Sequence, residues 1–140
     1  MTDNKRFIDN GNDTITDLKM KLVWKKTDSF QDTKKWQNWF KCQDYTEITN
    51  LQRFAGAEDW RYPNEEEAWS LFDLNSINTD KYGDEIYLDS VFEPGAGGTT
   101  WTIEEKDSSA LIIQYEDGVK VWPSKYANMS MCVRLVRHLT

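Results

Sequence analysis

The chain has 140 residues, seven tryptophans, an aromatic content of 14% and a formal net charge of −7 at pH 7. This length predicts a single domain over residues 1–140, with a core large enough to fold without a metal or several disulfides. The acidic surface repels phosphate groups, and the chain has no long apolar run, so nucleic-acid binding and membrane insertion are not expected.

The first third of the chain predicts β-strands followed by a helix. Residues 6–17 place strand-forming residues around an Asn-Gly pair, which is typical of a hairpin, and residues 18–26 continue the β character. Residues 27–32 break this pattern. Residues 34–45 place Trp36 and two further aromatic residues on one helical face, which predicts the first helix.

A second helix is predicted from Asn64, because Asn64 and Glu67 have the spacing of a capping box. Glu65 and Glu66 then lie in the first turn, where the helix dipole favours negative charge. The glutamate triplet is therefore explained by its position, and we expect no catalytic role for it. Ala68, Trp69 and Phe72 are expected to line one face of this helix.

The segment before this helix is predicted to have a structural role. Asp59 and Arg61 are two residues apart, so on an extended backbone they share a face and are expected to pair with backbone groups or with each other. Trp60 would then enter the core.

A long loop is predicted over residues 74–98, which are rich in Asn, Asp and Gly and show no sustained period. Its apolar residues Ile86, Leu88, Val91 and Phe92 are expected to anchor it in the core. Long loops of compact domains are often functional, so this one is a candidate ligand surface.

The C-terminal part predicts antiparallel strands from residue 99 onward, including a hairpin at the Asp117-Gly118 turn. The order of strands, two helices, a long loop and a sheet indicates an α+β fold.

Catalytic and metal-binding patterns are missing from the sequence. There is no Gly-rich phosphate loop and no nucleophile elbow, and His138 is the only histidine. Cys42 and Cys132 are too far apart for a Cys-x-x-Cys redox or zinc pair, and they form either one long-range disulfide or two buried free thiols. We therefore expect no enzyme activity, no cofactor and no metal.

The motifs resemble those of a bacterial family named for the C-terminal domain of the Legionella collagen-like adhesin. Coverage runs from Arg6 to about Arg137. The motifs that carry the resemblance are Arg6, Phe7, Asp9, Asn10, Gly11, Thr14, Thr16 and Asp17 at the start, Leu22 and Trp24, residues 59–64, Trp101 and Thr102, Asp117 and Gly118, and Cys132, Val133 and Arg134 at the end.

The resemblance implies a C-type-lectin-like fold, with two helices packed on a small antiparallel sheet, with the N- and C-terminal strands next to each other, and with a ligand surface on the long loop. It also implies that Cys42 on the first helix pairs with Cys132, and it assigns Trp101 a structural role. The chain departs from the family pattern at Asp13 and Lys21, where glycines are usual, and at Ile103. Aspartate tolerates the left-handed conformation, so Asp13 is compatible with the hairpin.

Calcium-dependent sugar binding in lectins of this fold uses a Glu-Pro-Asn or Gln-Pro-Asp loop. Here Glu93-Pro94 is followed by Gly95, which has no side-chain oxygen. The other loop carboxylates lack the alternating spacing of a calcium loop. The set of side-chain ligands that binds calcium in such lectins is therefore incomplete in this sequence.

The remaining function is binding, and two forms of it stay open. The first is recognition of a protein partner through an aromatic and acidic loop surface, as an accessory or assembly factor. The alternative is lectin-like adhesion to a glycan or extracellular polymer. The candidate contacts are aromatic or polar residues that lie near turns and that the predicted core does not require: Tyr82, Tyr87, Glu93, Trp122 and Tyr126.

Location depends on the natural start of the chain. If Met1 is that start, the protein is expected in the cytoplasm, because the N-terminus lacks the apolar run of a signal peptide. If Met1 replaces a removed leader, a periplasmic or cell-surface location is expected.

Overall fold

The structure is a computed structural model that describes residues 5–140. Its strands are β1 (Phe7–Asp9), β2 (Thr14–Asp17), β3 (Leu22–Lys25), β4 (Asn78–Thr79), β5 (Glu85–Ile86), β6 (Thr99–Lys106), β7 (Ser109–Gln114), β8 (Lys120–Val121) and β9 (Val136–His138). Its helices are α1 (Ser29–Thr33), α2 (Trp39–Leu51) and α3 (Glu65–Ser70), with a short 3₁₀ turn at Phe54–Gly56.

The first sheet is antiparallel, in the order β1-β2-β3-β9. The predicted N-terminal hairpin is present, and the Asn10 side-chain amide donates to the hydroxyls of Thr14 and Thr16 at 3.0 Å each. Asp13 (φ 66°) and Lys21 (φ 59°) both adopt the left-handed conformation at turns of this sheet. The last strand, β9, pairs with β3, which brings the two ends of the described chain together.

The remaining strands of the described residues form two smaller antiparallel sheets. β6, β7 and β8 form the predicted C-terminal meander, with a register shift between Trp101 and Glu105 on β6. β4 and β5 form a two-residue hairpin inside the segment predicted as a loop. Ile86, Leu88 and Phe92 from that segment are buried, as predicted, so it is anchored in the core.

The helices begin at polar caps. The capping box of Asn64 and Glu67 is present at the start of α3, as predicted. A second capping box, formed by Asp28 and Gln31, begins α1 in the segment predicted to be irregular. The predicted helix start at residue 34 is wrong, because Lys34 lies in the left-handed region (φ 62°) and ends α1.

The next helix, α2, begins only after its N-cap Asn38. Trp36 therefore lies in the connection between α1 and α2 and not on a helical face. The predicted apolar face of α3 is also wrong in part, because Ala68 and Leu71 are buried while Trp69 is 40% exposed.

Two apolar clusters form the core. One surrounds Trp24 and includes residues of the first sheet, α3 and the long loop. The other surrounds Trp101 and joins α2 to β6, β7 and the C-terminal segment. Both tryptophans have 0% relative exposure, and each such side chain contributes one of the larger hydrophobic terms to stability.

A buried carboxylate links the first sheet to α3. Asp17 has 0% relative exposure, and it accepts hydrogen bonds from the Arg6 guanidinium (2.8 Å) and the Trp24 indole (3.0 Å). Arg6 also donates to the Ser70 carbonyl at 2.8 Å. Burial raises the pKa of Asp17, but the hydrogen bonds from Arg6 and Trp24 outweigh burial and hold this pKa below its usual value of 3.8.

The predicted fold, a C-type-lectin-like arrangement of two helices on one small antiparallel sheet, is wrong. The described residues form three short helices, and their strands divide among three small antiparallel sheets. The physical reasons are local and non-local. A capping box creates α1 in a segment without apolar period, a turn creates the β4–β5 hairpin, and β6, β7 and β8 form a sheet separate from the first one. The pairing of β9 with β3 agrees with the neighbouring terminal strands that the resemblance implies.

Candidate functional site

The candidate site is built on the β4–β5 hairpin of the long loop. Asp80 Oδ1 accepts hydrogen bonds from the backbone N–H groups of Tyr82 (2.8 Å) and Asp84 (3.0 Å), and Gly83 supplies the positive φ (83°) that the turn requires. Lys81 and Tyr82 are consequently held at the tip, where the Tyr82 side chain is 66% exposed.

A cavity of about 380 Å³ lies beside this hairpin, and we refer to it as the loop cleft. Its size is within the range of small-ligand pockets. Its lining combines aromatic rings, carboxylates and glycine backbone from several separate segments: Trp36, Asp80, Tyr82, Asp84, Ile86, Gly97, Gly98, Thr99, Gln114, Glu116 and Ser130.

One wall of the loop cleft is fixed to α1 through Asp28. The Gly97 N–H donates to Asp28 Oδ2 at 2.7 Å, and Asp28 is also the N-cap of α1. Asp28 and Arg134 are both buried, with 3.9 Å between Arg134 Nη2 and Asp28 Oδ2. A side chain at Gly97 would overlap the Cys132 sulfur, so the backbone approaches this buried cluster at van der Waals contact.

The aromatic wall of the cleft contacts a cation of the chain itself. Trp36 stacks on Phe30 with a centroid distance of 4.2 Å. The Lys81 ammonium lies 4.5 Å from the Phe30 ring centroid, 5.6 Å from Trp36 and 5.1 Å from Tyr82. Such distances are those of cation–π contacts.

The carboxylates that line the cleft form no described ion pair. Across residues 5–140, no ion pair involves Asp80, Asp84 or Glu116. In that same part of the chain, no group of three or more His, Cys, Asp or Glu side chains is placed to hold a metal ion. The cleft is therefore an aromatic pocket with an excess of negative charge.

A larger cavity of about 580 Å³ lies between β3, α1 and α2. Lys25, 4% exposed, donates to Asp32 Oδ2 (2.6 Å) and to the Tyr45 hydroxyl (2.7 Å). Burial raises the pKa of Asp32, but the Lys25 charge and hydrogen bond outweigh burial and lower it. Burial and the Asp32 charge raise the pKa of Tyr45 above its usual range.

In this larger cavity Lys25 and Asp32 are paired with each other, whereas Asp13, Lys41 and Asp44, which also line it, form no ion pair within residues 5–140. Its lining therefore carries charges of both signs, while the charged residues that line the loop cleft are all negative. We assign the candidate site to the loop cleft because its charge has one sign and because it lies on the long loop predicted as the ligand surface.

The three candidate contacts of the long loop lie in different places. Tyr82 lines the loop cleft. Tyr87 packs edge-on against Phe72, with 5.8 Å between ring centroids. Glu93 lies 3.8 Å from the Lys26 ammonium.

The other two candidate contacts lie in the segment after β8. Trp122 is 45% exposed and Tyr126 is 70% exposed. The Tyr126 ring lies 5.1 Å from that of Phe40 on α2, whereas the Tyr82 ring contacts Lys81. Of the five residues, only Tyr82 lines the loop cleft.

The residues predicted to be structural are placed as follows. Asp59 accepts a hydrogen bond from Arg137 Nε at 2.6 Å, and Trp60 is 3% exposed. Arg61 forms a two-point ion pair with Glu67 at 2.8 and 2.9 Å. Burial raises the pKa of Glu67, but the Arg61 hydrogen bonds outweigh it and lower this pKa.

Cys42 and Cys132 are free thiols in the structure, and both are buried. Burial raises the pKa of Cys42 to about 12 and raises that of Cys132 well above its usual value. The Cys132 sulfur contacts Thr99 and Asp28, and the Cys42 sulfur contacts Ser29. The thiols therefore serve as buried packing groups in the structure.

Several residues of the loop cleft were missed by the sequence analysis. The sequence pattern predicts Trp36 on a helical face, and Glu116 falls in the region predicted as C-terminal strands. Asp80 and Asp84 belong to the loop carboxylates that lack calcium-loop spacing. A usable signal was the Asp80-to-Asp84 segment itself, because an aspartate followed three residues later by glycine is typical of a tight turn that exposes its central side chains.

The fold and the loop cleft define a small domain with a concave, acidic and aromatic surface. The chain belongs to the Lcl C-terminal domain family, whose model matches residues 13–137. This family is adhesin-related and is not a known enzyme family, which is consistent with a binding module.

Comparison with curated proteins found no match, and comparison with solved structures found none either. Over residues 5–140, no helix has both the length and the apolar character needed to cross a membrane.

Proposed function

We propose that this protein is a non-catalytic binding module that recognises a protein partner through the loop cleft. The observation that carries the proposal is the combination of the exposed Tyr82 ring and the half-buried Trp36 ring with carboxylates that form no ion pair, all in one concave site. Aromatic residues often supply the central contacts of protein interfaces, and Tyr82 is available at 66% exposure. The partner segment is expected to be basic, because like charges would be repelled.

The negative charge of the cleft has a clear electrostatic consequence. Asp80, Asp84 and Glu116 lie within one cavity, and the whole chain carries a net charge of −7. A basic partner would therefore associate faster at low salt than at high salt. A sulfated or phosphorylated polymer would be repelled by the same surface.

A second candidate function is adhesion to a neutral glycan or another extracellular polymer. The adhesin-related family favours this function. The pairing of the Tyr82 ring with carboxylate and amide groups in the cleft also suits a sugar, because rings pack on its apolar face and polar groups bind its hydroxyls. Both functions use the same cleft, so one experiment can separate them.

The test is affinity capture on immobilised protein from the cytosolic and envelope fractions of the source cells. Bound material is eluted successively with salt, chelator, mixed free sugars and denaturant. Three proteins are compared: the wild type, the cleft variant Asp84→Asn/Glu116→Gln, and the control variant Asp44→Asn/Glu66→Gln. Both variants remove two exposed carboxylates, but only the first removes them from the loop cleft.

We expect a stoichiometric protein to elute with salt or denaturant from the wild type and from the control variant. The cleft variant should not capture this protein. Elution by free sugar would favour the glycan function. Capture of the same protein by all three would contradict the assignment of the loop cleft as the binding site.

A further inference from the structure

We infer that the aromatic rings of Phe30, Trp36 and Tyr82, two of which line the loop cleft, recognise a cationic side chain, a lysine or arginine of the partner, and that Lys81 occupies the position of this side chain in the free protein. This inference rests on the proposed function and specifies the chemical group that the cleft binds. Its first support is the arrangement of three aromatic rings around one ammonium group.

The three rings come from separate parts of the chain. Phe30 belongs to α1 and is 7% exposed, Trp36 lies in the connection to α2, and Tyr82 lies in the hairpin turn. All three centroids lie between 4.5 and 5.6 Å from Lys81 Nζ. A ring face attracts a cation through its quadrupole, and aromatic cages of this kind bind ammonium groups.

The negative charge of the cleft gives a second, independent support. Trp36 and Tyr82 line the loop cleft as well as contacting Lys81. The same cleft contains the unpaired carboxylates of Asp80, Asp84 and Glu116. A cation bound at these two rings would therefore share the cavity with three carboxylates.

Lys81 has the properties of a displaceable occupant. Its backbone is fixed, because the Lys81 N–H donates to the Ala96 carbonyl at 2.8 Å. Its side chain is exposed and has no described ion-pair partner within residues 5–140. An exposed lysine has several rotatable bonds, so its ammonium can leave the rings without any change in the backbone.

Displacement has a measurable consequence. A tethered occupant competes with an external cation for the same rings, so its removal must raise the affinity for that cation. The substitution Lys81→Ala keeps the rings and the carboxylates. Lys120→Ala is the control for the loss of one positive charge, because Lys120 lies over a ring outside the cleft, Trp69 at 4.8 Å, and pairs with Glu65 at 2.8 Å.

The test titrates wild type, Lys81→Ala, Lys120→Ala and Lys81→Ala/Tyr82→Ala with the peptide acetyl-Gly-Gly-Lys-Gly-Gly-amide. The same peptide with norleucine in place of lysine serves as the uncharged probe. Binding is followed by the NMR signal of the Trp36 indole N–H, assigned with Trp36→Phe. Thermal unfolding confirms that each variant is folded.

The expected result is that Lys81→Ala binds the lysine peptide about fivefold more tightly than Lys120→Ala does, as removal of a competing cation–π contact would give. The norleucine peptide should not gain affinity, and the double variant should lose the gain. Equal affinities of Lys81→Ala and Lys120→Ala, or equal binding of the two peptides, would overturn the inference.

The two proposals fail in different ways. If capture of a partner depends on Asp84 and Glu116 while Lys81→Ala gives no gain for the lysine peptide, the cation assignment is refuted and the proposed function stands. If capture does not depend on the cleft carboxylates, the proposed function is refuted, and this inference falls with it.

Discussion

The substitution Gly97→Ala tests whether the loop cleft is held by close packing against the buried cluster around Asp28. Gly97 has an ordinary backbone conformation, so the cost of a methyl group there is steric. The added carbon would overlap the Cys132 sulfur and lie 3.0 Å from a ring carbon of Trp36. Both neighbours resist displacement, because Cys132 is fully buried and Trp36 stacks on Phe30.

We expect Gly97→Ala to lower the free energy of unfolding by about 1–3 kcal/mol, the usual cost of overpacking. The measurement is urea unfolding followed by tryptophan fluorescence. Gly95→Ala is the control for backbone strain, because Gly95 has φ 92° and its added carbon would have no neighbour within 4 Å. Its expected cost of about 1–2 kcal/mol is conformational and should not depend on Cys132.

The distinguishing step is a double-mutant cycle with Cys132→Ala. Removing the sulfur relieves the overlap, so Gly97→Ala should cost about 1–2 kcal/mol less in the Cys132→Ala background than in the wild type. Gly95→Ala should cost the same in both backgrounds. If the effects of Gly97→Ala and Cys132→Ala on the free energy of unfolding are additive, the packing argument for this wall of the cleft is refuted.

Two further predictions concern the interior. Asp17→Asn should lower the free energy of unfolding by about 2–4 kcal/mol, because it weakens buried hydrogen bonds from the Trp24 indole and from a guanidinium. The folded pKa of Asp17 lies below its ordinary value of 3.8, so the stability that this group contributes to the wild type is present above that pH and is lost as pH falls through the folded pKa. In urea titrations between pH 6 and 2, the free energy of unfolding of Asp17→Asn should therefore fall less steeply than that of the wild type. Equal slopes for the two proteins would contradict this prediction. Cys42 and Cys132 should resist alkylation by iodoacetamide at pH 8 in the native protein, because burial raises the pKa of both thiols, and they should react rapidly in guanidinium. Rapid alkylation of the native protein would contradict this prediction and show that the thiols are accessible.

Local signals in the sequence were sufficient for several elements. The Asn-Gly hairpin, the Asn64 capping box and the buried residues of the long loop follow from short-range patterns, and the structure has all three. Helix α1 also has a local signal, since Asp28 and Gln31 have capping-box spacing. It was missed because a five-residue helix is too short to show an apolar period.

Non-local pairing explains what the sequence could not show. No local pattern specifies that β9 pairs with β3 across more than a hundred residues, and only the family resemblance indicates that the terminal strands are neighbours. No local pattern specifies either that the β4–β5 hairpin and the β6–β7–β8 strands form sheets of their own. The loop cleft has the same origin, because Trp36, Asp80, Gly97 and Glu116 come from four separate segments. Tyr82 was found because exposure at a turn is a local property.

Recognition through the loop cleft is tested by comparing the affinities of Tyr82→Ala and Tyr126→Ala for the captured partner. The two tyrosines are closely matched, with exposures of 66% and 70%, but only Tyr82 lines the loop cleft. Equilibrium titration should show affinity reduced about tenfold or more for Tyr82→Ala and nearly unchanged for Tyr126→Ala, as expected for an aromatic contact at the centre of an interface. Undiminished binding by Tyr82→Ala, or a larger loss for Tyr126→Ala, would contradict the account and place recognition on the surface after β8.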